Sequence, residues 1–103
     1  MTILRTPQVC DEIGITYRVL DYWIRNEAVE PAVQSFGSGS PRLFSADDVN
    51  RLKFISHFYH KMPRMFTIDL VRTIWHGDTR MEEYDTHYEM ELDNGIVLSV
   101  PKE

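Results

Sequence analysis

Apolar residues recur at three- and four-residue intervals through most of the chain and at two-residue intervals near its end, so helices are expected first and strands last. Val9, Cys10 and Ile13 form the first stripe. Thr6-Pro7 opens that helix, because a threonine oxygen can accept from an unpaired N–H and proline suits the first helical position; Gly14 closes it. A helix over about 7–13 follows. Ile15 is expected to fill a turn pocket and Thr16 to cap a second helix, whose face of Val19, Leu20, Trp23 and Ile24 runs to about Asn26 or Glu27. Two short helices joined by a turn that begins with glycine form a helix-turn-helix pattern, which helical hairpins without any nucleic-acid role also show.

Residues 30–44 carry two prolines and two glycines around a serine-rich tip with apolar flanks, the signature of a loose hairpin or wing. Ser45 followed by Asp47 and Asp48 caps a third helix, in which Val49, Leu52, Ile55, Phe58 and Tyr59 recur at helical spacing to about Lys61. Met62-Pro63 breaks it, and Thr67 caps a fourth helix lined by Val71, Ile74 and Trp75 until His76-Gly77. A polar, acidic connector is expected from Asp78 to about Thr86.

Two alternating segments, Tyr88–Leu92 and Ile96–Val100, flank Asp93-Asn94-Gly95 and predict a hairpin. A two-residue Asn-Gly loop pairs Leu92 with Val97. A three-residue loop with Gly95 left-handed pairs Leu92 with Ile96, Met90 with Leu98 and Tyr88 with Val100, and gathers six apolar residues on one face. That face must cover helices 3 and 4 or a second subunit. The expected fold is therefore mainly α with small β: a winged helix-turn-helix of about four helices over residues 1–62, continued by a helix, connector and C-terminal hairpin over 63–103 as a packing or dimerisation appendage.

Composition and charge refine this picture. At 103 residues with 43% hydrophobic and 26% charged residues, the chain fits one modest core. Its single cysteine excludes an internal disulfide, and nothing near the N-terminus resembles a signal peptide or a membrane span, so a cytoplasmic protein is expected. The net charge of -5 opposes nucleic-acid binding at first sight. It is unevenly spread: residues 1–80 hold 10 Lys+Arg and 9 Asp+Glu, whereas residues 81–103 hold 1 and 7. The acidity belongs to the tail.

With the elements placed, the residues resemble the MerR-type winged-helix family. Thr6–Ile15 is similar to its first helix and glycine turn, Leu20-Asp-Tyr-Trp-Ile-Arg25 to its Leu-Arg-Tyr-Tyr-Glu segment, and Val29-Glu-Pro-Ala32 to its Leu-x-Pro-x. Gly39–Ser45 with Asp47–Leu52 resembles its Gly-Tyr-Arg-x-Tyr-Ser and the Asp-Val-x-Arg-Leu that follows, and Met65–Ile74 resembles its next helix. The spacing agrees over roughly 50 residues, which no single motif achieves by itself. The resemblance implies a recognition helix, helix 2, in the major groove of double-stranded DNA, with the wing on backbone or minor groove.

Residues at the start of a recognition helix reach base edges. Here they are Thr16, Tyr17 and Arg18: Arg18 can donate bidentately to guanine, and Tyr17 can touch a thymine methyl or a phosphate. Tyr22 and Arg25 lie further along, toward phosphates, and Arg42 matches the family's wing arginine. Two features depart from the pattern. Asp21 stands where the family usually has a phosphate-contacting arginine, and the family's long dimerisation helix and effector domain are replaced here by the connector and hairpin. Effector-sensing activation is therefore not expected to carry over.

The remaining chemistry-bearing residues have structural explanations. Cys10 is expected to pack on the core face of helix 1, Trp23 and Trp75 to be core, and His57 and His60 to lack a third metal ligand. His76 suits helix-end carbonyls, and Glu82, Glu83, Asp85 and His87 form a solvated acidic segment. Phe54, Phe58, Tyr59 and Phe66 exceed one helix stripe and mark either core or a partner surface. No catalytic constellation, metal or cofactor is expected. The sequence thus favours a site-specific DNA-binding protein, a transcriptional regulator acting as a homodimer or cooperative oligomer. An excisionase-like architectural protein, of the kind phages and bacterial mobile elements encode, fits the same residues. So does a protein-interaction module, an antirepressor or polymerase-binding factor, that presents its acidic C-terminal region to a protein partner.

Overall fold

The computed structural model describes residues 4–33 and 42–102. Among them the chain runs β1 (Leu4–Arg5), α1 (Thr6–Ile13), α2 (Tyr17–Arg25), β2 (Leu43–Phe44), α3 (Ala46–Lys61), α4 (Ile68–His76), β3 (Arg80–Glu83), β4 (His87–Glu91) and β5 (Val97–Pro101). The four helices fall where the apolar spacing places them, with small antiparallel sheets beside them.

The start of α1 differs from the expectation. Thr6 is the first helical residue and is buried, so its hydroxyl is not the cap; Arg5 occupies the capping position, and its backbone N–H donates to Gln8 Oε1 at 2.9 Å. Strand pairing of Leu4 with Phe44 and of Arg5 with Leu43 holds the chain extended up to that point. Gly14 ends α1 at φ 74°, a left-handed conformation that a side chain disfavours, and its N–H reaches Cys10 O at 2.9 Å. Ser45 caps α3 reciprocally with Asp48, through bonds of 3.1 and 3.2 Å, and Thr67 caps α4.

The tip of the predicted wing lies outside the described residues. At its base, Val33 and Leu43 exchange backbone bonds of 3.1 and 3.0 Å, which closes the chain onto β2.

The segment after α4 contains more structure than alternation alone revealed. Instead of a solvated connector, Arg80–Glu83 forms β3, antiparallel to β4, so the predicted hairpin becomes a sheet ordered β3-β4-β5. Only Met81 in β3 turns an apolar side chain inward, which leaves little hydrophobic alternation to detect. The hairpin itself has the three-residue loop: Met90 pairs with Leu98, Tyr88 with Val100, and Gly95 sits at φ 89°. Of the six apolar residues on its inner face, Ile96 at the loop is exposed; the others pack inward.

That face covers α3. Tyr88 meets Phe54 edge-on at 5.5 Å and stacks on His57 at 4.3 Å. Phe54, Phe58 and Phe66 are buried and Tyr59 packs edge-on against Trp23, so the aromatic excess is core rather than a partner surface. Buried residues from Val9 to Val100 join in one cluster. Among the described residues no helix is long and apolar enough to cross a membrane.

Candidate nucleic-acid interface

The sequence of α2 separates two faces. Leu20, Trp23 and Ile24 are buried, and the opposite side presents Tyr17, Arg18, Tyr22 and Arg25 to solvent. Tyr17 is 55% and Tyr22 53% exposed, which is unusual for large aromatic rings in a chain whose other ring-bearing residues mostly pack. Thr16 is the N-cap, its Oγ1 accepting from Val19 N at 3.3 Å, so its hydroxyl is engaged at the helix start. Arg18 makes no salt bridge among the described residues. Five of the six predicted contact residues therefore share α2 and its cap, four of them on the open face.

The sixth joins them from the wing base. Arg42 Nη1 donates to Asp21 Oδ1 at 2.7 Å, and Arg25 Nε donates to the other carboxylate oxygen at 2.7 Å. Asp21 and Arg42 are each only 18% exposed at the side chain, whereas Arg25 is 71% exposed. Arg42 is therefore not the freely extended cation that the sequence predicts for the wing; one N–H is committed to α2, with up to four others left to donate. Asp21 does more than subtract charge. It bridges the residue before β2 to the helix and holds two arginines at fixed positions on one surface. The Arg42 guanidinium holds the Asp21 carboxyl below the ordinary carboxylate range, against burial and with help from Arg25.

Sequence reasoning did not find what anchors the two ends of this helix. At the front, the buried Ser56 hydroxyl of α3 donates to Ile13 O, and His60 Nε2 lies 2.8 Å from Gly14 O, so α3 fixes the turn that leads into α2. At the back, Arg72 Nη2 of α4 donates to Asn26 O at 2.8 Å and His76 Nε2 lies 3.0 Å from Glu27 O. His76 thus meets a helix-end carbonyl as expected, but at the end of α2 rather than of its own helix. The i,i+3 spacing of His57 and His60 hinted at a shared role; instead one stacks on Tyr88 and the other holds the turn.

Burial, with Asp11 nearby, pushes the Cys10 thiol up and away from the reactive thiolate. The described residues contain no cluster of His, Cys, Asp and Glu fit to hold a metal ion. What the surface can do is present hydroxyl, aromatic and guanidinium groups on a rigid, exposed helix, as groove recognition requires.

Comparison with known proteins finds a family and named relatives. A family model described as "MerR HTH family regulatory protein" matches residues 4–74, from β1 into α4. Proteins named as uncharacterized HTH-type transcriptional regulators from Mycobacterium bovis and from a strain of Mycobacterium tuberculosis are each 50% identical over 52 residues, 50% of this chain and 23% of theirs. The match thus spans about a quarter of those relatives' length. No solved structure is a significant match.

Proposed function

The chain belongs to the MerR HTH family of regulatory proteins, DNA-binding regulators of transcription, and from that premise we propose that it reads a specific double-stranded DNA site through α2. In this reading α2 enters the major groove, Tyr17 and Arg18 reach base edges, and Tyr22 and Arg25 meet phosphates. The segment of residues 30–44 acts as the wing, and Arg42 at its base reaches backbone or minor groove with the N–H groups that Asp21 leaves over. The observation that carries the proposal is the open face of α2: two half-exposed tyrosines and an exposed Arg18 with no salt bridge among the described residues, on a helix anchored at both ends.

A single module of this size buries too little DNA-facing surface for tight specific binding, so two modules acting together are part of the proposal. The experiment is a duplex titration, at two salt concentrations, against sites selected from a random library. Arg18→Ala is expected to weaken the selected site by about 1–3 kcal/mol and to relax preference at one base pair. Arg25→Ala is expected to weaken all duplexes alike and to reduce the salt dependence. No duplex binding by the unaltered chain at low salt would sink the proposal.

A further inference from the structure

Among the described residues neither edge of the C-terminal sheet is paired with another strand, and the two edges differ chemically. The bonds from Leu92 N to Ile96 O and from Lys102 N to Thr86 O set the phase of the β4–β5 ladder, so Val97, Ser99 and Pro101 direct their backbone outward. Pro101 has no N–H to offer, and Lys102 follows it, so only Val97 and Ser99 can donate along that edge and it is the poorer of the two for another strand. On the other side, Tyr84 N donates to His87 O at 2.8 Å, which sets β3 in the phase where Arg80 and Glu82 face β4. Met81 and Glu83 then present N–H and C=O groups outward with no proline among them. Arg80, Glu82 and Glu83 are exposed and Met81 is half-buried.

The outer face of this sheet is unbalanced in charge. Glu82 stands directly opposite Glu89, and Glu91 lies beside Glu89 across from Arg80. Like charges directly opposite each other destabilise a ladder. Among the described residues neither Arg80 nor Glu82 forms a salt bridge within the chain. A further cation beside Glu82 is what this face lacks.

We propose that β3 pairs antiparallel with β3 of a second copy of this chain, with the two-fold axis at Met81, giving a continuous six-stranded sheet. Opposite residues in an antiparallel ladder share a face, so only axes that pass through a residue keep both inner faces on their own helices. An axis at Arg80 or at Glu82 sets that residue against its own like charge. The axis at Met81 sets Arg80 opposite Glu82 of the second copy, twice, and places the half-buried Met81 against its counterpart. Each Arg80 thereby supplies a cation to Glu82, whose neighbour Glu89 has only the His87 imidazole, 3.7 Å from its Oε1, and the outward N–H and C=O of the two Met81 residues exchange bonds across the axis. One four-residue edge buries far less than the roughly 800 Å² per partner of a stable interface, so the pairing is weak in free solution. A common DNA target strengthens it by raising the effective concentration. The pairing rests on the DNA-binding proposal only for that use, and its test contains no DNA, so the two can fail separately.

A symmetric disulfide traps a weak pair. Opposite Cα atoms of a hydrogen-bonded antiparallel pair lie about 5.5 Å apart, within reach of a disulfide. In full-length chain carrying Cys10→Ser, Met81→Cys is expected to form the intermolecular disulfide about tenfold faster than Ile96→Cys, an exposed site outside β3, in the same thiol–disulfide buffer. Arg80→Glu on top of Met81→Cys slows the reaction about tenfold, and Arg80→Glu with Glu82→Arg together restores it, which also shows that the single reversal acts through charge rather than misfolding. Cross-linking at Met81 no faster than at Ile96, a rate indifferent to Arg80→Glu, or failure of the double reversal to restore it would overturn the proposal.

Discussion

Asp21 is the residue at which a departure from the family pattern becomes a structural device. On a helix proposed to face DNA a lone carboxylate would repel phosphate, yet here two guanidiniums at 2.7 Å offset its charge and are ordered by it. The Arg25 contact is largely exposed and contributes little to stability; the Arg42 contact is mostly shielded and carries most of the effect. Asp21→Asn is expected to lower stability at neutral pH by about 1 kcal/mol, read by urea unfolding. The carboxyl is held low in the folded state, so its stabilisation is complete above the unfolded value of about 3.9 and is lost as pH falls through the lowered folded value. Asp21→Asn should therefore flatten the acid limb of the stability profile. Nonspecific duplex affinity should rise, because one negative charge leaves the surface, while the ratio of specific to nonspecific binding falls as Arg42 loses its anchor. A stability profile unchanged in acid would contradict this account. Sequence alone identified Asp21 as an oddity; its role was not legible, because it depends on Arg42, 21 positions away, arriving beside it.

At the scale of the element, caps, stripes and turn residues made all four helices and the C-terminal hairpin readable, including its register. β3 escaped because its alternation is mostly charged. The end of α2 escaped too, because its chemistry runs against type. Glu27 N bonds to Ile24 O and Ala28 N to Trp23 O, the bonding of a Schellman cap, and Glu27 holds φ 58° where glycine is usual. A left-handed non-glycine residue costs roughly 1–2 kcal/mol, and glycine returns part of that through its greater freedom in the unfolded chain. Glu27→Gly is thus expected to stabilise the protein by about 0.5–1 kcal/mol, seen as a melting temperature a few degrees higher, since the exposed side chain has no hydrogen bond or ion pair to lose among the described residues. A second element-scale effect comes from the sheet stacked on α3. Burial against Tyr88, reinforced by Lys53, pushes the His57 imidazole down from its ordinary value. The unfolded chain then binds more protons than the folded one between the lowered folded value and about 6.5, so stability falls as pH drops through that window. His57→Phe should remove this part of the pH dependence while keeping the ring stack, which denaturant titrations at a series of pH values can follow.

On the scale of the whole molecule, the question is whether the tail sheet is an appendage or part of what holds α2 in place. The sequence suggested a division near residue 62, since the family pattern is densest before it and the excess of acidic over basic residues lies in the tail. The buried residues follow another logic: Phe54 and Ile55 of α3 belong to one cluster with Tyr88, Met90 and Val100 of the sheet and with Leu20 and Trp23 of α2. α3 is the shared wall, bonded to the turn before α2 through Ser56 and His60 and covered on another side by Tyr88. A perturbation of the sheet should therefore reach the helices. Met90 is fully buried, and Met90→Ala removes a large side chain from a close-packed site, expected to cost about 2–5 kcal/mol. If the core is one cooperative unit, far-ultraviolet ellipticity from the helices and fluorescence of Trp23 and Trp75 fall together at one lowered midpoint. Helix signal persisting at the original midpoint, with only the sheet lost, would instead mark residues 63–103 as an independent layer and leave α2 held by α3 and α4 alone.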